Sequence, residues 1–192
     1  MAVKTFTTGE VLTASDTNTY LNNGGLVYIT STTASGSSVV NIDNCFSATY
    51  TNYRVVVNVT AATSTGYLLY QDRVSSTNAA SSYSSVFSGF YLSAGSAFQN
   101  IAGSQNTSTA IVGSFDGASG SVGDMMFDVC APYLAQYTST HGQFAVTTGN
   151  TGMYGGTCSA VHFVSTSYTG MSLSVASGNF TGTITVFGYR KA

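Results

Sequence analysis

Charge is what this sequence has least of: Asp, Glu, Lys and Arg make up 6% of its 192 residues, against roughly 25% in an ordinary soluble domain. The five cations, Lys4, Arg54, Arg73, Arg190 and Lys191, are dispersed apart from the terminal pair, and the net charge is −2. A chain that neutralises phosphates needs clustered cations, so no nucleic-acid partner is expected. No apolar run approaches the roughly 20 residues of a membrane helix, and no membrane partner is expected either. Residues 1–10 lack the apolar centre of a signal peptide, which implies synthesis in a cytoplasm without export by the usual route. Cysteine is also scarce. Cys45, Cys130 and Cys158 lie far apart, with no Cys-x-x-Cys. The odd count and spacing argue against a disulfide framework and against a zinc site, so each is expected to be a free thiol packed among apolar residues.

Signatures of catalysis are equally thin. The histidines are His141 and His162. His162 falls in an alternating run and reads as a structural residue, whereas His141, before Gly142, reads as exposed. No serine sits in a Gly-x-Ser-x-Gly elbow. Of the seven acids, Glu10 and Asp16 belong to the N-terminal stretch, and Asp72 beside Arg73 suggests a surface ion pair. Asp124 and Asp128 could face each other, but the spacing that glycoside hydrolysis requires is not readable from sequence. With no tryptophan, the best sugar-stacking platform is missing. The segment 116–124 has oxygens and glycines without the dense alternation of a calcium loop, and reads as a plain loop. No enzyme activity, catalytic residue, cofactor or metal site is expected.

What is present builds a core. Hydrophobic residues make up 43%, enough for one substantial domain with a small appendage. The surface must be Ser, Thr, Asn, Gly and Tyr, with little charge repulsion between copies. Such a surface suits life in an assembly, and a homo-oligomer, with a trimer favoured, is expected to cover the remaining apolar patches. Thirteen tyrosines supply amphipathic contact area of the kind interfaces and sugar-binding faces use.

Residues 1–25 differ from everything after them. Residues 4–12 read as extended with a turn at Gly9. Thr13-Ala14-Ser15-Asp16 then has the spacing of a capping box, predicting a short helix over residues 14–21 that ends at Asn22-Asn23-Gly24-Gly25. Two turns of helix are unstable alone in water, so Phe6, Val11, Leu12, Tyr20 and Leu21 are candidates for docking on a partner. From Leu26 the pattern switches to period two. Runs at 26–29, 53–59, 67–70, 110–115, 126–130, 143–146, 160–164, 171–175 and 181–189 are rich in β-branched or aromatic residues and bounded by Gly, Ser, Thr or Asn. Ser177-Gly178-Asn179 between the last two is a hairpin signal. Nine or ten short strands, 21 glycines and one proline predict an all-β, antiparallel β-sandwich, jelly-roll-like, behind a short N-terminal extended or helical segment. The predicted division is a docking segment at 1–25 and a sandwich domain at 26–192.

The stretch Phe6-Thr7-Thr8-Gly9-Glu10-Val11-Leu12-Thr13-Ala14-Ser15-Asp16-Thr17-Asn18 resembles the leader of tailed-phage minor tail and tail-fibre proteins. Three further segments, 45–56, 128–136 and 181–189, are similar to a domain met in phage structural proteins. The resemblance covers about a third of the chain. It implies a virion location, with an N-terminal anchor that contacts other virion proteins and an outward β-domain. Typical fibres carry a shaft between leader and tip, and no repeat or heptad here supplies one. A capsid head-decoration (cement) role therefore stays open beside a tail-fibre-like or tail-tip accessory role. A carbohydrate-binding module facing a host-surface glycan is the alternative of another class.

Overall fold

The computed structural model describes residues 7–11, 13, 25–93, 96–149 and 152–190, with the backbone alone at 93 and 96–101. Within them the chain is all-β, and every strand pairing is antiparallel. Thirteen strands occur among the described residues: β1 Leu26–Ser37, β2 Val39–Ile42, β3 Asn52–Ala62, β4 Gly66–Val74, β5 Thr77–Asn78, β6 Tyr83–Ser93, β7 Ser96–Thr107, β8 Ala110–Phe115, β9 Gly123–Cys130, β10 Thr138–Thr148, β11 Gly152–His162, β12 Gly170–Val175 and β13 Phe180–Tyr189. An eight-stranded sheet runs β1-β13-β3-β9-β10-β11-β6-β7, and a smaller sheet runs β2-β12-β4-β5 with β8 also on β4.

The pairing is nested. β1 lies on β13, β2 on β12, β3 on β9 and β4 on β8, so the chain folds back on itself first strand to last. Two hairpins, β6–β7 and β10–β11, interrupt the nesting and extend the large sheet.

Alternation explains why these residues form these strands. In β3, Tyr53, Val55, Val57 and Val59 are buried while Arg54, Val56 and Asn58 between them are not. In β13, Phe180, Ile184 and Val186 point to the same interior, as period-two side chains must. The small sheet answers with Leu68 and Tyr70 from β4 and Met171 and Leu173 from β12, all at 1% exposure or less. Burying a large side chain of this kind contributes about 1.5–3 kcal/mol. β8 is buried at all six positions, which fits its Ala, Ile, Val and Phe, and the buried Ser114 hydroxyl donates to the Gly66 carbonyl at 3.0 Å.

Two expectations need correction here. The Ser177-Gly178-Asn179 segment is a turn, with Gly178 at φ 71°, but not a hairpin. β12 belongs to the small sheet and β13 to the large one, so the turn carries the chain between layers. Local turn chemistry is the same in both cases; the partners of each strand decide. The second concerns β6 and β7, which the sequence reading passed over. β7 is rich in Ser, Gly, Asn and Gln and has weak strand propensity. β6 has strand-forming Tyr, Val and Phe, but in adjacent pairs that break the period-two pattern. Its ten-residue register on β11, from Met153↔Leu92 to His162↔Tyr83, holds it in the sheet. No helix occurs among the described residues; the helix expected over 14–21 lies outside them.

Candidate functional site

Of the predicted docking residues, Phe6, Leu12, Tyr20 and Leu21 lie outside the described set. Val11 is described and is 80% exposed. The turn expected at Gly9 is present: Gly9 has φ 87°, and the Glu10 amide donates to the Thr7 carbonyl at 3.1 Å.

The titratable residues fall into two groups, one inside the sandwich and one on its outer face. Inside, the Asp72–Arg73 ion pair expected from sequence does not form. Successive side chains of a strand point to opposite faces, and on β4 Asp72 points into the core. Its carboxylate accepts from the Tyr70 hydroxyl at 2.5 Å and meets His162 Nδ1 at 2.9 Å. Its backbone N–H donates to the Tyr83 hydroxyl at 2.8 Å. His162 stacks on Tyr83, with ring centroids 4.0 Å apart. Burial pushes the Asp72 carboxyl up, against the opposing hydrogen bonds from His162 and Tyr70. This group is sealed: Asp72 is 0% and His162 2% exposed, so it meets no substrate and ties β4 to β6 and β11. His162 is structural, as its alternating run predicted. Arg73 turns the other way, onto Asp43 at 2.9 Å, Asn41 at 3.0 Å and Asn78.

The thiols are free. Cys45 and Cys158 are buried, and burial raises them to about 12 and about 11. Cys130 is half-buried and raised for the same first reason. A thiolate is the reactive form, so under native conditions Cys130 should alkylate first, with Cys45 and Cys158 protected until unfolding. Mass analysis of denatured, unreduced protein should count three modified cysteines; an intramolecular disulfide would contradict this.

Outside, the eight-stranded sheet carries a trough along the β10–β11 hairpin. Three contiguous cavities of about 650, 460 and 560 Å³ compose it. The first two share His141 and Ser159, and the last two share Met126, Gln143 and Thr157. The floor is low because the outward positions of β10 and β11 are mostly small, Gly155 among them. Arg54 and Val56 of β3 with Met126 and Asp128 of β9 form one wall; Val86 and Phe90 of β6 form the other.

At the centre, Asp128 takes a bidentate pair from Arg54 at 2.8 and 2.9 Å and accepts from the Tyr189 hydroxyl at 2.8 Å. His141 Nε2 lies 3.7 Å from its second oxygen, and the ring is 58% exposed, as its place before Gly142 predicted. Burial pushes the Asp128 carboxyl up, but the bonds from Arg54 and Tyr189 outweigh it and hold the group below the ordinary carboxylate value. Asp124, the other acid of the expected pair, sits four residues along β9, about 13 Å away, and is bonded to Asn58 at 2.6 Å. The two carboxylates share a face but not a site, since a hydrolytic pair requires about 5–9.5 Å. Asp116 in the 116–122 loop accepts from Thr65 at 2.5 Å. No cluster of three or more metal-ligating side chains occurs among the described residues, and no described helix is long and apolar enough to cross a membrane.

The trough residues were not predicted as a site. One sign was available: β6 carries Val86 beside Phe87 and Phe90 beside Tyr91, so both faces of the strand are apolar although one faces out.

No protein-family model matches the chain, and no curated protein matches it. Among solved structures, the CBM2 module of Lactobacillus casei BL23 phage J-1 evolved Dit is similar at a TM-score of 0.27 and 8% identity, over 80% of this chain and 69% of that one.

Proposed function

We propose that this chain is a structural component of a tailed-phage virion, a tail-fibre-like or tail-tip accessory protein without enzyme activity. It is anchored by residues 1–25 and turns its sandwich outward. The observation that carries the reading is the leader at 6–18, with its aromatic residue, Gly, Leu-Thr-Ala and Asn in the order found in minor tail and tail-fibre proteins. A sandwich follows whose first strand begins at Leu26. The nested pairing β1·β13, β2·β12, β3·β9 and β4·β8 supports a jelly roll with two added hairpins, an architecture that recurs in viral and lectin domains. The scarcity of charge supports close packing against copies of itself, as a trimer, and against other virion proteins.

Deleting residues 1–25 tests the anchor. The shortened chain should melt within a few degrees of the full one and be absent from purified particles. Replacing Phe6, Leu12 and Leu21 by Asp should do the same, since each large side chain buried at an interface contributes about 1.5–3 kcal/mol. A truncated protein that aggregates or melts far lower would make the leader part of the fold and sink the anchor. Antibody label on particle heads would assign a decoration role instead.

A further inference from the structure

The trough ends in exposed aromatic rings. Phe90, 60% exposed, stands opposite Gly155 at one end. Phe163, 51% exposed, and Tyr137, 55% exposed, meet edge to face at 5.5 Å at the other. Gly155 lies in β11 and Phe163 directly follows its last residue, eight residues on, about 26 Å at the rise of a strand. Between the rings the lining alternates apolar side chains, Val86, Val161, Met126 and Val56, with polar ones, and its one uncompensated charge is Asp124, which is bonded to the Asn58 amide. Arg54 and Asp128 neutralise each other, while His141, Gln143, Thr157 and Ser159 present ring-nitrogen, amide and hydroxyl groups.

We infer that this trough binds an extended, uncharged oligosaccharide chain, the surface glycan that a virion module of the proposed kind would meet; the inference rests on that reading. Four features favour this occupant. The length suits a chain and not a single small molecule. The paired ions leave nothing to attract a phosphate or sulfate polymer. Donors and acceptors in the middle match hydroxyls, each of which both gives and takes a hydrogen bond. Rings at both ends offer flat apolar faces for the C–H faces of sugar rings, and an exposed ring held on a rigid strand loses little entropy on binding. An extended peptide would instead look for an unpaired strand edge to join, and the trough lies mid-sheet, where β10 and β11 are already paired on both sides.

The test is an array of uncharged tetra- to octasaccharides beside an equal set of uncharged dodecapeptides, probed with the full chain. Binding to a subset of the oligosaccharides is expected, with affinity falling at least about tenfold in Phe90→Ala and again in Phe163→Ala. Thr157→Lys, which fills the floor midway, should abolish it. Val39→Ala, an exposed residue of the opposite sheet, should leave it unchanged. All four positions are exposed, and a melting curve on each variant verifies the fold. Binding that ignores both ring variants, binding to peptides alone, or no binding to any probe overturns the inference. Its failure is separable from that of the virion assignment. A chain located on particles that binds no sugar refutes the trough alone; a sugar-binding chain absent from particles refutes the virion location and leaves the trough standing.

Discussion

Asp72→Ala should lower the stability of the folded chain by about 3–5 kcal/mol, the range for removing one partner of a buried charged network. The substitution strands two groups and opens a cavity. The Tyr70 hydroxyl loses its acceptor, His162 Nδ1 loses its hydrogen-bond partner, and the lost side chain leaves a void between the sheets. Tyr70 is 1% and His162 2% exposed, so solvent cannot replace the lost partners. Asp72→Asn keeps the shape and an acceptor for Tyr70, and should cost markedly less. Denaturant unfolding followed by tyrosine fluorescence checks both; equal, small losses would show the network to be energetically idle. The pH dependence has a defined sign. Burial raises the folded carboxyl of Asp72, so its contribution to stability is fully present below the unfolded carboxylate pKa and is lost as pH rises through the raised folded value. Asp128 acts the other way. Its folded carboxyl is lowered, so its contribution is present above the unfolded pKa and is lost as pH falls through the lower folded value. The Asp72→Ala variant should therefore be hurt proportionally more in acid than at neutral pH.

How far the sequence could be read depended on whether the deciding interaction was local. The alternation in β3, β12 and β13 is a property of a few neighbouring side chains, and these strands were visible as such. β8 was expected at 110–115 and occupies Ala110–Phe115, because a buried run bounded by turns needs no partner to be recognised. By contrast, β6 and β7 are strands because β11 pairs with β6, a contact between residues about 70 apart in sequence. The same limit explains Asp72 and Arg73. Adjacent opposite charges look like a pair, yet the pleat sends one to His162, 90 residues away, and the other to Asp43, 30 residues away. His162 could be recognised as structural but not given a partner. The trough was not legible at all, since its walls come from β3, β6 and β9 and its floor from β10 and β11. No two of its deciding side chains form a motif. Only the doubly apolar β6 hinted that its outward face has something to cover.

Gly142→Ala should be nearly as damaging as Asp72→Ala, although it adds a single methyl group. A Cβ on Gly142 would lie 2.4 Å from the Met126 carbonyl oxygen and 2.4 Å from the Phe127 Cβ. Neither atom is the end of a flexible side chain, so β9 and β10 must part to admit it. Gly142 is paired with Phe127 on one side and Cys158 on the other, in the middle of the large sheet, where no edge can relax. Overpacking that moves backbone costs about 1–3 kcal/mol and sometimes more, and the upper end is expected here because two ladders are involved. Gly155→Ala is the control, at an outward position of the neighbouring strand. Its Cβ would find the Phe144 carbonyl oxygen at 3.4 Å, an ordinary contact, and a change within about 0.5 kcal/mol is expected, as for a surface substitution. Chemical denaturation should show a lower midpoint for Gly142→Ala with an unchanged slope, the sign of lost stability and not of altered compactness. The same substitution also bears on binding. Gly142 separates His141 from Gln143 on the trough floor and lets Asp128 come within 3.7 Å of His141, so parting β9 from β10 pulls the polar centre open. Gly142→Ala protein that still folds in the cold should therefore have lost the pairing of Asp128 with His141. Crosslinking or NMR shifts at His141 would reveal that. An unchanged His141 environment in a stable Gly142→Ala chain would mean that the close approach of the two strands is not set by this glycine.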